Sequence, residues 1–522
     1  MSEAWDRLRR PKNYTYDTVP QDDEAVDEGP RTPPPHPPRK SLLRRSLIAL
    51  CSFLIMLAVI AAIVVSIVVG RASSLPLPSV PHTDCDDIEH GYTCRPEISR
   101  YWGQYSPYYS VPSGISETLP DTCTVTFAQV LSRHGARDPT AARSIAYRYL
   151  IDRLQEDVES FSGKYAFLKV YRYKLGADEL SWFGQQELVN SGAKFFRRYS
   201  HLAANAAPVL RAAGQHRVVQ SAQNFTQGFY AEAARNDWAG PRDDVITVMP
   251  EDDSSNNTLS IETCPAFDGG ATSSAAQRVW TSIFVPPIRD RLNADMPGAE
   301  LTDQEVVYLM DLCPFETVSA NHNGGPSSPF CDLFAPEEWQ AFEHYQSLGK
   351  WYGWSWGNDL APSLGVGFVN ELIARLTDSP VHDHTSTNST LDSDPDAFPV
   401  GPDYTLYADF SHDNDIMTIM AALGVYNDTR PLDKTRVQTP DETDGYTASW
   451  AVPFASRMYV EKMRCGGEAD DGEELVRVLV NDRVIPLRWC RGVDDLGRCR
   501  LSNFVEGLAF VRQDGHWDRC YA

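Results

Sequence analysis

Two short segments carry the residue types needed to move a phosphoryl group. In Arg133-His134-Gly135-Ala136-Arg137 one imidazole lies between two guanidiniums. The cations disfavour protonation of the ring, so a neutral, nucleophilic nitrogen persists. Their planar donor forks also match phosphate oxygens. Gly135 is expected to let the backbone approach a ligand closely. In His412-Asp413 a carboxyl group stands beside an imidazole. Such an acid, when protonated, can hand its proton to a departing alkoxide. Nucleophile, charge clamp and acid together describe transfer through a covalent phosphohistidine. Other matches are weaker. His382-Asp383-His384 repeats the HD pair, but in a Ser/Thr/Asp-rich stretch with no strand before it, and it is assigned to a solvated loop. Cys94 to Arg100 fits C-x5-R but lacks a glycine-rich phosphate loop. The sequence contains neither a Walker A pattern nor a strong metal-ligand motif, so no metal or cofactor is expected.

Both chemical segments follow a strand signal and precede a helix signal. Thr124–Leu131 is β-branched and mostly apolar, and predicts a buried strand. The helix-like stretch Ala141–Gln155 follows, with Tyr147, Leu150, Ile151 and Leu154 at helical spacing. Downstream, Tyr404–Phe410 predicts a second strand and Ile416–Leu423 a helix, with Gly424 as its C-terminal stop. Each histidine is therefore placed on an exposed strand-to-helix turn. In open α/β sheets such turns bind ligands, and helix N-termini there favour anions.

The chain has 522 residues and a net charge of −24. Residues 1–70 carry nine basic and eight acidic groups, so the rest of the chain holds the acidity. An acidic body argues against nucleic acid, which needs clustered Lys and Arg. Residues 1–45 are charged and Pro-rich and read as a disordered cytosolic tail. Pro34–Arg39 in that tail fits a weak SH3-type ligand, against the plainer reading of a solvated spacer. Residues 46–70 are expected to be a transmembrane signal anchor: Leu47–Gly70 is uncharged and long enough to cross a bilayer. The basic flank before it predicts a type II orientation, with the catalytic part extracellular or in the secretory lumen. A linker spans 71–83, and 84–522 reads as one folded body with a surface loop over 378–402. Ten cysteines follow the apolar run without a CxxC among them, as disulfides in an oxidising compartment would require. Sequons at Asn224, Asn256, Asn388 and Asn427 are candidate glycosylation sites on the same side.

Arg133–Pro139 (RHGARDP) and His412–Asn414 (HDN) resemble the motifs of the histidine acid phosphatases, and the likeness is closest to the secreted fungal phytases. Stretches in matching order extend it over nearly all of 84–522, among them Trp102–Pro107, Leu175–Asp178, Gln186–Gly192, Leu364–Phe368, Leu406–Asn414 and Val480–Pro486. The resemblance implies an α/β fold like that of the phosphoglycerate mutases. A large domain has a central sheet flanked by helices, and a smaller helical domain is inserted roughly within 231–375, with the site in the cleft between. It implies His134 as nucleophile, Asp413 as proton donor, and Arg133, Arg137, Arg217 and His412 as phosphate ligands. It also implies five disulfides: Cys85–Cys94, Cys123–Cys465, Cys264–Cys520, Cys313–Cys331 and Cys490–Cys499.

The departures from this family concern charge. Fungal phytases carry lysine-rich stretches around the substrate, of which this chain keeps Arg143 in one and Lys350 in the other. Asp138 stands where many of these enzymes have an aromatic residue. The expected activity is an acid phosphomonoesterase acting on inositol hexakisphosphate, with a broad-specificity phosphatase as the alternative. A membrane-anchored binding protein on a relic phosphatase fold is the non-enzymatic reading. A phosphoglycerate-mutase-like mutase would share the phosphohistidine, but the extracytoplasmic setting disfavours a glycolytic role.

Overall fold

The computed structural model describes residues 86–87, 91–92 and 94–522, apart from 253–254, 261–262, 321–325, 467–471 and 473. The expected tail, anchor, linker and SH3-type segment lie outside the described residues. No helix among the described residues is long and apolar enough to cross a membrane.

An eight-stranded mixed sheet organises the body. Its strands are β1 (Cys123–Arg133), β2 (Val209–Ala213), β3 (Ile246–Met249), β4 (Leu406–Ser411), β5 (Arg457–Cys465), β6 (Leu475–Val480), β7 (Arg483–Ile485) and β8 (Cys499–Arg500). The order is β8-β6-β5-β1-β4-β2-β3, with β7 also pairing with β6. On one side of β1 the strands β4, β2 and β3 run parallel. On the other side β5, β6, β7 and β8 are antiparallel. β4 lies inside the parallel half and is buried at every residue, as a strand covered on both faces must be.

Among the described residues, eight longer helices pack against the sheet or form a layer beside it. They are α1 (Ala141–Asp157), α2 (Trp182–Ala203), α3 (His216–Arg235), α4 (Gly269–Asp295), α5 (Asp303–Ala320), α6 (Pro336–Trp354), α7 (Val366–Thr377) and α8 (Asp413–Ala422). The helices following β1 and β4 are α1 and α8, so the strand-to-helix arrangement expected at both motifs is present. Gly424 follows α8 at φ +78°, the left-handed stop expected there.

The helical insertion is narrower than the expected 231–375. Ile246–Met249 pairs with β2 and belongs to the sheet. At the other end α7 returns to the sheet, where Arg375 meets Asp409 of β4 at 2.6 Å. The helical layer therefore centres on α4, α5 and α6. It is tied to α1 by Tyr147 donating to Asp311 (2.8 Å) and by the Arg153–Glu305 ion pair (2.8 Å). The expected loop at 378–402 contains one short helix, Ser389–Asp392. Asp383 in it accepts from Thr385 N–H and from the Asn370 amide, so it organises the loop and not a reaction centre.

Disulfides join Cys123 to Cys465, Cys264 to Cys520, Cys313 to Cys331 and Cys490 to Cys499. The first crosses between register partners of β1 and β5. Cys94 is disulfide-bonded, whereas Cys85 lies outside the described residues.

α2 and α3 meet through facing glycines. A Cβ at Gly192 would press on the Phe225 carbonyl, and one at Gly228 on the Val189 carbonyl. Backbone cannot yield as a side-chain tip does. Gly228→Ala should therefore cost about 1–3 kcal/mol of overpacking, read as a lowered Tm in thermal melts. An unchanged Tm would show that the two helices separate freely.

Candidate active site

The register of the parallel ladder assembles the site. Arg133, the last residue of β1, pairs with Ser411, the last of β4. The next residues in each chain are His134 and His412, and the His134 N–H donates to the Ser411 carbonyl at 3.1 Å. Their rings stand 5.6 Å apart, centroid to centroid.

His134 is 1% exposed, not on an exposed turn as expected. Its Nδ1 lies 2.8 Å from the Gly135 carbonyl. A carbonyl only accepts, so Nδ1 holds the proton and Nε2 keeps a free lone pair. Burial, followed by the charges of Arg133, Arg217 and Arg137, holds the ring's pKa well below its ordinary value. Desolvation contributes more to this than any one of the cations. Gly135 is also required by packing: a Cβ there would collide with the backbone of Gly184 at the start of α2.

Three guanidiniums surround the ring. Arg133 is wholly buried, and its Nη1 donates to the carbonyls of Gln104 (2.5 Å) and Val452 (2.9 Å). Burial lowers its pKa to about 10, against the pull of Asp413. Arg137 donates through Nη1 to the Asp138 carbonyl. Arg217, at the start of α3, faces Asp178 at 3.8 Å and His412 Nδ1 at 3.5 Å. The Nε donors of all three are buried with no hydrogen-bond partner among the described residues. Buried donors left unpaired are costly, and here all three belong to cations around one neutral imidazole. An anion is the natural occupant.

Across this space stands Asp413. Its Oδ2 lies 3.4 Å from Arg133 Nη2 and accepts from Lys350 Nζ at 2.6 Å. Burial favours its neutral form, but Arg133 and Lys350 outweigh that and hold it well below the usual carboxylate range. Lys350 also donates to Asn414 at 2.5 Å. His412 Nε2 is spent on Glu251 (3.1 Å). Donation from His412 Nδ1 to a phosphate therefore requires the doubly protonated ring, for which Glu251 is the counter-ion. Burial opposes ionisation of Glu251, yet His412 keeps its pKa low.

A hollow of about 280 Å³ opens from the site toward α4, α5 and α6. Arg137, Arg143, Lys350 and Asp413 line it together with Asp311. Arg143 sits over the Tyr308 ring. Burial disfavours its charge, but Asp311 together with Tyr105, Tyr147 and Tyr308 outweighs this and raises its pKa. Burial in turn pushes Asp311 up to about 6, against Arg143. A larger hollow, about 450 Å³, lies on the far side of α6 against Glu97, Tyr109 and Trp450. None of the six residues expected to carry the chemistry lines it, so volume alone does not mark the reaction centre.

The family model of the histidine phosphatase superfamily (branch 2) matches residues 124–481. The chain belongs to that family. This branch 2 histidine phosphatase is 49% identical to Phytase A of Aspergillus oryzae over 463 residues, covering 88% of this chain and 98% of the relative. It is 50% identical to Phytase A of Aspergillus awamori over 459 residues, covering 87% and 97%. Among solved structures, a phytase from D. castellii is similar with a TM-score of 0.63 at 24% identity, covering 85% of this chain and 89% of that one. The fold of this histidine phosphatase is thus shared well beyond its near relatives.

The sequence reading missed Glu251, Glu187 and Gln104. Glu251 stands two residues beyond β3, at the carboxyl end of a parallel strand, and that position was its one signal. Glu187 of α2 accepts from the Ala136 N–H (2.8 Å) and the Tyr108 N–H (2.9 Å), and so clamps the turn that carries His134.

Glu187 also makes stability depend on pH. Burial lifts its pKa from 4.5 to about 7, although the two N–H donors oppose the shift. The folded state therefore holds this proton more tightly than the unfolded chain. The resulting stabilisation is complete below about pH 4.5 and is lost as pH rises to about 7, on the order of 3 kcal/mol in all. Tm should fall across that window, and Glu187→Gln should make the fall shallower. A Tm that rises with pH there, or an unchanged slope in the variant, would refute this.

Proposed function

We propose that this chain is an acid phosphomonoesterase that removes phosphate from inositol hexakisphosphate through a phosphohistidine at His134. The observation that carries the reading is the set of buried, unpaired Nε donors of Arg133, Arg137 and Arg217 around a neutral imidazole. The substrate class rests on the Phytase A relatives. A fold neighbour, the multiple inositol polyphosphate phosphatase of Bifidobacterium longum, has been solved with inositol hexasulfate and has a TM-score of 0.56.

In the first step the Nε2 lone pair of His134 attacks phosphorus and the P–O bond to the inositol breaks. Asp413 gives its proton to the departing alkoxide. Water then attacks phosphorus, the P–N bond breaks, and Asp413 takes a proton from that water. Phosphate leaves and His134 is regenerated. The guanidiniums counter charge on the transferred group throughout. Asp413 begins as an anion, so it must gain a proton first. A phosphate group that occupies Arg133 draws that cation from Asp413, and a phosphate monoanion can bring the proton with it. Working at acid pH follows from this requirement.

A second reading, broad phosphomonoester specificity, has its own support. Lys350 is engaged by Asp413 and Asn414. One of the two cations expected to greet the other ring phosphates is thus already partnered. The ratio of kcat/KM on inositol hexakisphosphate to that on a simple aryl phosphate decides between the two. A large preference for the aryl ester would establish the broad phosphatase.

We further propose that the folded body lies on the extracytoplasmic side of a membrane, held by the apolar run at 47–70. Support comes from the basic flank of that run and from the disulfides. The Asn427 sequon is exposed, as glycosylation there would require.

Asp413→Asn tests the mechanism. The amide keeps the shape and cannot give a proton, so kcat on inositol hexakisphosphate should drop about 10²–10⁴-fold. An activated aryl phosphate, whose phenolate leaves without that help, should lose far less. Equal fractional losses on both substrates in a folded variant would mean that Asp413 is not the proton donor.

A further inference from the structure

Arg133 is the most buried of the three guanidiniums, and no carboxylate fixes it at hydrogen-bond distance: Asp413 stands 3.4 Å away. What orients it is a pair of backbone carbonyls, Gln104 and Val452. These belong to segments far apart in sequence, the 3-10 turn Gly103–Tyr105 and the chain just after the short helix Ala448–Ala451. Neither segment supplies a side chain expected to carry the chemistry. Each needs something to hold its carbonyl in place.

Glu343 of α6 reaches both. Its Oε2 accepts from the Gly103 N–H at 2.7 Å and its Oε1 from the Ser449 N–H at 2.9 Å. Ser347, one turn on, accepts from the Ala448 N–H at 2.9 Å through its hydroxyl and donates to Glu343 Oε1. The Val452 N–H closes back on the Ala448 carbonyl, so fixing 448–449 fixes Val452. Glu343 is 5% exposed, and its carboxylate therefore acts on these N–H groups without competition from solvent. Lys350, two turns beyond Glu343, lies on the same helix stripe and holds Asp413.

We infer that Glu343 is a positioning residue for the transferred phosphate: it anchors the two carbonyls from which Arg133 hangs. This rests on the proposal that Arg133 binds that phosphate. One face of α6 would then set both members of the Arg133–Asp413 pair, through backbone at Glu343 and directly at Lys350.

Glu343→Gln tests the inference, because the amide turns an NH₂ toward one of two N–H donors and loses that hydrogen bond. The readouts are the inhibition constant of inorganic phosphate and kcat/KM, measured well below the melting point. A guanidinium moved by a fraction of an ångström should raise the phosphate constant about tenfold and cut kcat/KM by at least as much. Glu461→Gln is the control. Glu461 pairs with Arg477 and Arg198 elsewhere in the sheet, so this variant should lower Tm while leaving the phosphate constant unchanged. If Glu343→Gln does not fold, Glu343→Asp, too short to reach both N–H groups, should still weaken phosphate. Wild-type phosphate inhibition in either folded variant overturns the inference. Arg133→Lys separates the underlying reading: if that change leaves phosphate inhibition intact, Arg133 is not a phosphate ligand, whatever Glu343 does.

Discussion

The parallel pairing of β1 with β4 is the constraint on which the rest depends. Six register pairs run from Ala128–Leu406 to Arg133–Ser411. Parallel strands end together, so two motifs nearly 280 residues apart in the chain emerge side by side. A one-residue slip would turn every side chain of β4 to the opposite face. Asp409 opposes such a slip. It is fully buried and is held by Arg211 of β2, Arg375 of α7 and the Gln129 amide of β1. A charged residue in mid-sheet is costly unless paired in this way, and the pairing exists in one register only.

With the ladder set, the site is a problem of unbalanced charge. Arg133, Arg137, Arg217 and Lys350 outnumber the carboxylates beside them, Asp413, Asp178 and Glu251, around a space lined by buried donors. The protein tolerates this because backbone carbonyls take up part of the donor capacity and because one imidazole stays neutral. Farther out, the hollow sets Arg137, Arg143 and Lys350 against Asp311 and Asp413. The buried guanidinium donors without partners are concentrated around His134.

How much of this could be read from the chain depended on whether a role is local. Thr124–Leu131 and Tyr404–Phe410 announced their strands by β-branched and apolar runs, and the helices after them by their spacing. The candidate site residues stood out because imidazole between guanidiniums is rare and has a chemical meaning, and the structure brings them together. Roles fixed by tertiary partners were not. Nothing beside Glu343 or Glu251 foretells that one meets Gly103 and Ser449 and the other His412. The burial of His134 was misjudged, since the cover over its turn comes from elements distant in sequence. Ile246–Met249 fell inside a presumed helical insertion because a four-residue edge strand carries too little pattern to stand out.

The ion pair between Lys350 and Asp413 has a thermodynamic corollary. In the proposed reaction, a phosphate that occupies Arg133 weakens the attraction holding Asp413 ionised. Reciprocity then demands that protonating Asp413 tighten phosphate by the same factor. Proton and anion are thus co-ligands, each recruiting the other to the pocket. Such a pocket senses the acidity of its surroundings without a dedicated sensor: where protons are scarce, it releases its product more readily and also takes up less substrate.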